Sequence, residues 1–162
     1  VYPEYKASRL GQKRPRWEKE VKQYLANDWN ANWSKDCEAD DMLGCRNTGD
    51  TIICTIDKDL DQIPGQHFNF VKKELYEVTY LEGMRFFYQQ MLTGDTVDNI
   101  KGVSGIGAKK AEKLLSQGNT EEEWYEIVKD QYSCDEEMEL NGKCLWIWRE
   151  LNDIWKLKSI ES

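Results

Sequence analysis

The chain has 162 residues, 40% of them apolar, a formal net charge of −8 and five cysteines. That length suits one domain, or one domain with a small subdomain, and no apolar run approaches the ~18 residues of a membrane span. Five cysteines without a C-x-x-C pair, beside the single His67, make a poor zinc set. No signal-peptide pattern opens the sequence, so the cysteines are expected to be reduced, buried thiols in a cytoplasm.

The net charge hides blocks of opposite sign. Residues 1–24 carry seven Lys/Arg against three Glu, and residues 36–61 carry eight acids against two bases. Residues 101–113 carry four Lys against one Glu, and residues 119–140 carry nine acids against one Lys. An acidic block between two basic ones suits a metal site flanked by phosphate-contacting surfaces, whereas the last acidic block reads as a solvated helix face.

In chain order, Pro3, Gly11 and Pro15 mark residues 1–15 as loop. Trp17, Val21, Tyr24, Leu25 and Trp29 have helical spacing over 16–29. Glu38 to Arg46 reads as a short helix with its acids at the amino end, where the helix dipole favours them. Thr51 to Ile56 is a β-branched run, apolar on both faces, which predicts a buried parallel strand. Pro64-Gly65 predicts a turn within an irregular stretch over 61–73, with a short strand at Phe68 to Val71. Thr79-x-x-Glu82 is a capping box opening a helix through Leu92 that Gly94 stops. Further helices are predicted over Gly107 to Ser116, from the Thr120-x-x-Glu123 box to about Tyr132, and from Asp135 to Trp155. The last would place Leu145, Trp148, Leu151 and Trp155 on one packing face. Mixed helix and strand thus gives way to helix near residue 93.

Three acidic clusters carry the candidate chemistry: Glu38, Asp40 and Asp41; Asp57 and Asp59; Asp95 and Asp98. Taken as extended, residues 57 and 59 would point to one side of the strand's end. Seven carboxylates exceed what one Mg²⁺ needs, and two ions sharing them would suit phosphodiester cleavage. His67 reads as structural. Gly102-x-x-Gly105-x-Gly107-x-Lys109-Lys110-Ala111 fits a hairpin opening a helix, where glycines let backbone amides approach phosphate. Lys6 and Arg9 beside Tyr5 suit a scissile phosphate and a stacked base.

Five motifs in order carry a resemblance: Tyr5-Lys6-x-x-Arg9, Glu38-Ala39-Asp40-Asp41, Asp57-Lys58-Asp59-Leu60, Gly94-Asp95-x-x-Asp98-Asn99-Ile100, and Gly102-x-x-Gly105-Ile106-Gly107-x-Lys109-x-Ala111. Over residues 1–118 the chain resembles the 5′-nuclease (flap endonuclease) superfamily, and Leu60 to Gly65 with Asn69 resembles its bacteriophage 5′–3′ exonuclease branch. The resemblance implies an α/β fold: a PIN-like nuclease core with a parallel sheet over 1–93, including an arch segment over 6–35. A helix–three-turn–helix DNA-binding subdomain with C-terminal helices would follow over 94–162.

It also implies that Glu38, Asp40, Asp41, Asp57, Asp59, Asp95 and Asp98 hold two Mg²⁺ ions, with Mn²⁺ as a substitute, and that Lys6 and Arg9 are catalytic. Gly102, Gly105, Gly107, Lys109 and Lys110 would grip the DNA, with a K⁺ ion at the hairpin. The partner would be DNA with a free 5′ end or 5′ flap, in the cytoplasm of a bacterial or phage-infected cell. The alternative is a non-catalytic structure-specific DNA-binding module. The family's first strand, ending in Asp, has no counterpart after Val1. The expectation is therefore an upstream segment, or a partner supplying it, on which activity depends.

Overall fold

The computed structural model describes residues 5–7, 11–34 and 37–158. Arg9, expected to be catalytic, lies outside the described residues. Helix α1 (Glu18–Trp29) forms where the aromatic spacing predicts it, yet it buries none of its residues. Trp17, Tyr24, Trp29 and Trp33 are all exposed.

Helix α2 (Ala39–Arg46) starts at Glu38. The Glu38 backbone N–H donates to Asp41 Oδ2 at 3.2 Å, which fastens the first turn. Strand β1 (Ile52–Cys54) pairs in parallel with β2 (Gly65–Asn69), and β2 pairs antiparallel with β3 (Glu74–Val78). The parallel pairing matches expectation; the burial does not. Only Ile53 of β1 is buried, because the other face of this three-stranded sheet is open and carries Ile52 and Cys54. The irregular stretch expected over 61–73 holds β2, and β3 completes a hairpin absent from the sequence expectation. The register puts Ile53, His67 and Tyr76 on the inner face. There the His67 and Tyr76 rings stack 5.4 Å apart. His67 is a strand residue, fully buried, with Nε2 2.8 Å from the Ile63 carbonyl.

The capping box at Thr79 and Glu82 is present, and helix α3 (Tyr80–Thr93) runs to Gly94. A two-rung ribbon follows, β4 (Gly94–Asp95) against β5 (Ile100–Lys101). Then come α4 (Ala108–Leu115), α5 (Glu121–Lys129) and α6 (Asp135–Leu145). The buried face of α3, with Phe87, Tyr88, Met91 and Leu92, forms the centre of the main core with Leu115, Trp124, Tyr125, Val128 and Met138. A smaller core under the sheet joins Ile53, Leu60, Ile63 and Ile147.

Helix α6 ends at Leu145, ten residues before the expected Trp155. The groups that would continue it have tertiary partners. The Leu145 carbonyl accepts from Gln62 Nε2 at 2.7 Å, and the Trp148 N–H donates to Asp41 Oδ1 at 3.0 Å. Residues 146–158 become an irregular strap. Ile147 enters the small core and Trp155 the main one, while Leu151, expected on the packed face, is 73% exposed. The cysteines also depart from expectation: Cys54 and Cys134 are exposed and Cys37, Cys45 and Cys144 half-buried, so none is a core thiol. No helix among the described residues is long and apolar enough to cross a membrane.

Candidate active site

The loop after β1 does not stay extended. Asp57 caps a 3-10 turn over Lys58–Gln62 by accepting the Asp59 N–H at 3.0 Å. The same-side argument from strand geometry therefore fails for Asp57 and Asp59, although the turn still delivers both to one cleft. That cleft, of about 770 Å³, is lined by Glu38 and Asp40 from the start of α2, Asp57 and Asp59 from the turn, and Asp95 and Asp98 from the β4–β5 ribbon. Lys6, Gly107 and Ala108 complete its rim.

Asp41 does not line this cleft, although it borders the adjoining pocket with Glu38, Asp40, Asp59, Asp95 and Asp98. Both its oxygens are engaged by backbone N–H groups, of Glu38 and of Trp148, so its task is to fix α2 against the strap. Asp95 Oδ1 accepts the Val97 N–H at 2.7 Å, which shapes the ribbon's loop.

Lys6 crosses the cleft edge. Its Nζ donates to Glu38 Oε2 and lies 3.7 Å from Asp98 Oδ2. Its backbone N–H donates to the Asp98 carbonyl at 2.9 Å. Burial alone would lower the Lys6 pKa, but the hydrogen bonds and charges of Glu38 and Tyr5 together outweigh it and hold the ammonium above its ordinary range. Beside it the Tyr5 hydroxyl donates to Glu38 Oε1 at 3.2 Å, and burial pushes its pKa up to about 12.

The carboxylates strain one another. Burial, then Asp57 and Asp95, raise the Asp59 pKa from 3.8 to about 6. Burial, then Asp57 and Glu38, raise that of Asp40. A carboxyl whose folded pKa exceeds its unfolded one costs stability only when ionised, so the cost is absent below the lower value and complete above the higher. Metal-free protein should therefore gain stability from Asp59 as the pH falls from about 6 to about 4, and Asp59→Asn should remove that gain. Urea midpoints across this range check it, and parallel pH profiles for the two proteins would refute it.

No three Asp, Glu, His or Cys side chains among the described residues converge on a point where they could hold an ion. The donor chemistry nevertheless fits a hard divalent cation: six carboxylates in one cleft, two of them disfavoured as anions by burial and then by their neighbours.

The glycine-rich turn divides into two parts. Gly102 packs against Gly94, where an added Cβ would lie 2.3 Å from the Gly94 nitrogen, so its missing side chain serves ribbon packing. Gly105 and Gly107 have open space about them, and Lys109 and Lys110 are exposed. Gly107 caps α4 with no side-chain cap and no acid in the first turn, leaving an uncompensated positive helix end. The sequence missed Gln62 and Gln90, buried amides beside Asp59 with no patterned signal.

The sequence profile of the 5′-3′ exonuclease C-terminal SAM fold matches residues 83–160. DNA polymerase I of Caldicellulosiruptor bescii is 32% identical over 139 residues, 72% of this chain and 16% of its own length. Flap endonuclease Xni of Shewanella piezotolerans is 32% identical over 113 residues, 59% of this chain. The chain spans 44% of that relative's length, less than half. The fold is that of bacteriophage T5 5′-exonuclease solved with bound zinc ions, with a TM-score of 0.63 and 20% identity over 86% of this chain and 66% of that one. A T5 flap endonuclease pseudo-enzyme-product complex with DNA and metal ions aligns with a TM-score of 0.61 at 20% identity, covering 86% of this chain and 65% of that one. Profile and relatives agree on one likeness: residues 83–160 match the 5′-3′ exonuclease C-terminal SAM fold, and the chain is similar to DNA polymerases I and to flap endonucleases Xni.

Proposed function

We propose that the chain acts in divalent-cation-dependent, structure-specific cleavage of DNA, as a 5′–3′ exonuclease or flap endonuclease hydrolysing phosphodiester bonds. The observation that carries this is the single cleft in which Glu38, Asp40, Asp57, Asp59, Asp95 and Asp98 meet Lys6 and the amino end of α4. Those six carboxylates would hold two Mg²⁺ ions, or Mn²⁺ in their place, which supply water activation and charge neutralisation when bound.

The chain's own groups do the rest. Lys6 would set positive charge beside the scissile phosphate. The turn at Gly105 and Gly107, with Lys109 and Lys110 and a K⁺ ion, would hold downstream duplex by its phosphates. Such contacts read backbone shape rather than base sequence, which suits a free 5′ end or a 5′ flap as substrate.

A second reading, a DNA-binding module without cleavage, is favoured by one observation: no three donors converge on an ion position among the described residues. A 5′-labelled flap incubated with Mg²⁺ or with EDTA separates the two. The enzyme reading expects the full-length protein to cut with Mg²⁺ only, and Asp57→Asn to abolish the cutting. Flap binding without cutting under Mg²⁺ supports the module, and equal cutting in EDTA overturns the metal dependence.

A further inference from the structure

Two glutamines are buried at the floor of the site, Gln90 lining the cleft itself and both bordering the pocket beside Asp59. Gln62 is 1% and Gln90 is 8% exposed. Polar side chains at such depth cost stability unless every group finds a partner. These find partners in one directed chain. Gln62 Oε1 accepts the Ile147 N–H at 3.4 Å, and Gln62 Nε2 donates to the Leu145 carbonyl at 2.7 Å. Nε2 also donates to Gln90 Oε1 at 2.7 Å. Gln90 Nε2 then donates to Asp59 Oδ1 at 2.8 Å. Arg149 Nη2 holds the turn from the other side by donating to the Gln62 carbonyl at 3.1 Å.

The direction of this chain is forced. An amide can be turned end for end unless its surroundings distinguish donor from acceptor. Here the strap supplies both tests, since a backbone carbonyl only accepts and a backbone N–H only donates. Gln62 must therefore present nitrogen to Leu145 and oxygen to Ile147. That leaves its nitrogen facing Gln90, which must answer with oxygen and turn its own NH₂ to Asp59. The strap's backbone thus decides, through two side chains, that one oxygen of Asp59 receives a donor.

We propose that Gln90, oriented by Gln62, is a positioning residue for Asp59. It pins Oδ1, so that Oδ2 is left as the oxygen available to a cation in the cleft. Oriented ligands bind metal more tightly because their ordering is already complete before the ion arrives. The inference rests on the cation-binding reading of the cleft proposed above.

Mn²⁺ titration followed by electron paramagnetic resonance tests it without reference to activity. Gln90→Met keeps the side chain's length and removes the donor, and should weaken Mn²⁺ binding about tenfold. In an Asp59→Asn background the same replacement should add less than a further twofold loss, because its route to the ion is gone. Gln62→Met should reproduce the loss, and stands in should Gln90→Met not fold, as judged by circular dichroism. A parent protein that takes up no Mn²⁺ refutes the cation reading and the inference with it. A parent that binds Mn²⁺ while the folded glutamine variants match it within twofold refutes the inference alone. An equal loss with and without Asp59 also overturns it, since Gln90 would then act on the cleft by some other route.

Discussion

Gly102→Ala should destabilise the protein by about 3 kcal/mol, at the upper end of overpacking costs. The added methyl would meet backbone, not a side chain that can swing aside: the Gly94 nitrogen and Thr93 carbonyl carbon at 2.3 Å and the Leu92 oxygen at 2.5 Å. The ribbon cannot relieve this by moving away. The Val103 N–H is tied to the Leu92 carbonyl at 2.9 Å, and Asn141 Nδ2 holds the Lys101 carbonyl at 2.7 Å. Gly94 adds a second constraint, since its φ of +70° lies in the left-handed region that favours glycine. Because β4 and β5 carry Asp95 and the loop to Asp98, a displaced ribbon also withdraws two carboxylates from the cleft. Flap cleavage and Mn²⁺ affinity should therefore fall together in the folded fraction. Gly49→Ala is the control: nothing lies within 4 Å of its added Cβ, and it should stay within about 0.5 kcal/mol of the parent. Urea denaturation of both variants measures the difference, and equal midpoints would show that the ribbon yields.

What the sequence reveals about this fold is what short-range chemistry dictates. The Thr79–Glu82 box opens α3 because both partners lie within one turn, and Gly94 ends it because its backbone angles exclude most side chains. The run at Ile52 is a strand as its β-branching suggests, and it pairs in parallel although only one of its faces is buried. β3 escapes notice because Glu74 and Glu77 mask its alternation, and Tyr76 turns inward only once β2 offers His67 as a stacking partner. The strap escapes for a stronger reason. Trp148, Leu151 and Trp155 keep helical spacing, but Gln62 and Asp41 compete for the backbone groups that a continued helix would need. No periodicity contains that competition. The acidic residues of the cleft are legible by type and spacing, whereas Gln62 and Gln90 are not, since an amide matters only through the groups it faces. Asp41 shows the reverse: an acid among acids by sequence, it is spent on backbone hydrogen bonds.

Lys6→Gln should lower flap cleavage by about two orders of magnitude, the scale of losing one charge-stabilising donor, and at the same time tighten divalent-cation binding. The opposite signs follow from where the ammonium sits. Its Nζ is hydrogen-bonded to Glu38 and 3.7 Å from Asp98, so in the metal-free protein it neutralises two cleft carboxylates itself. A divalent cation entering the cleft must compete with it for those oxygens. Removing the charge leaves Glu38 and Asp98 facing Asp40 and Asp57 with less compensation, which raises the gain from any cation that binds. The same removal takes positive charge from the position where a scissile phosphate would lie. The replacement leaves the backbone N–H bond to the Asp98 carbonyl untouched, so the cleft edge keeps its local anchor. Lys6→Arg retains the charge and should recover most of the cleavage without the gain in cation affinity. Single-turnover cleavage at saturating Mg²⁺, set beside Mn²⁺ titration of the same proteins, reads both quantities. A fall in both would make Lys6 a link that merely holds the cleft together. A rise in affinity with cleavage unchanged would remove it from the chemistry while keeping it as the cation's competitor.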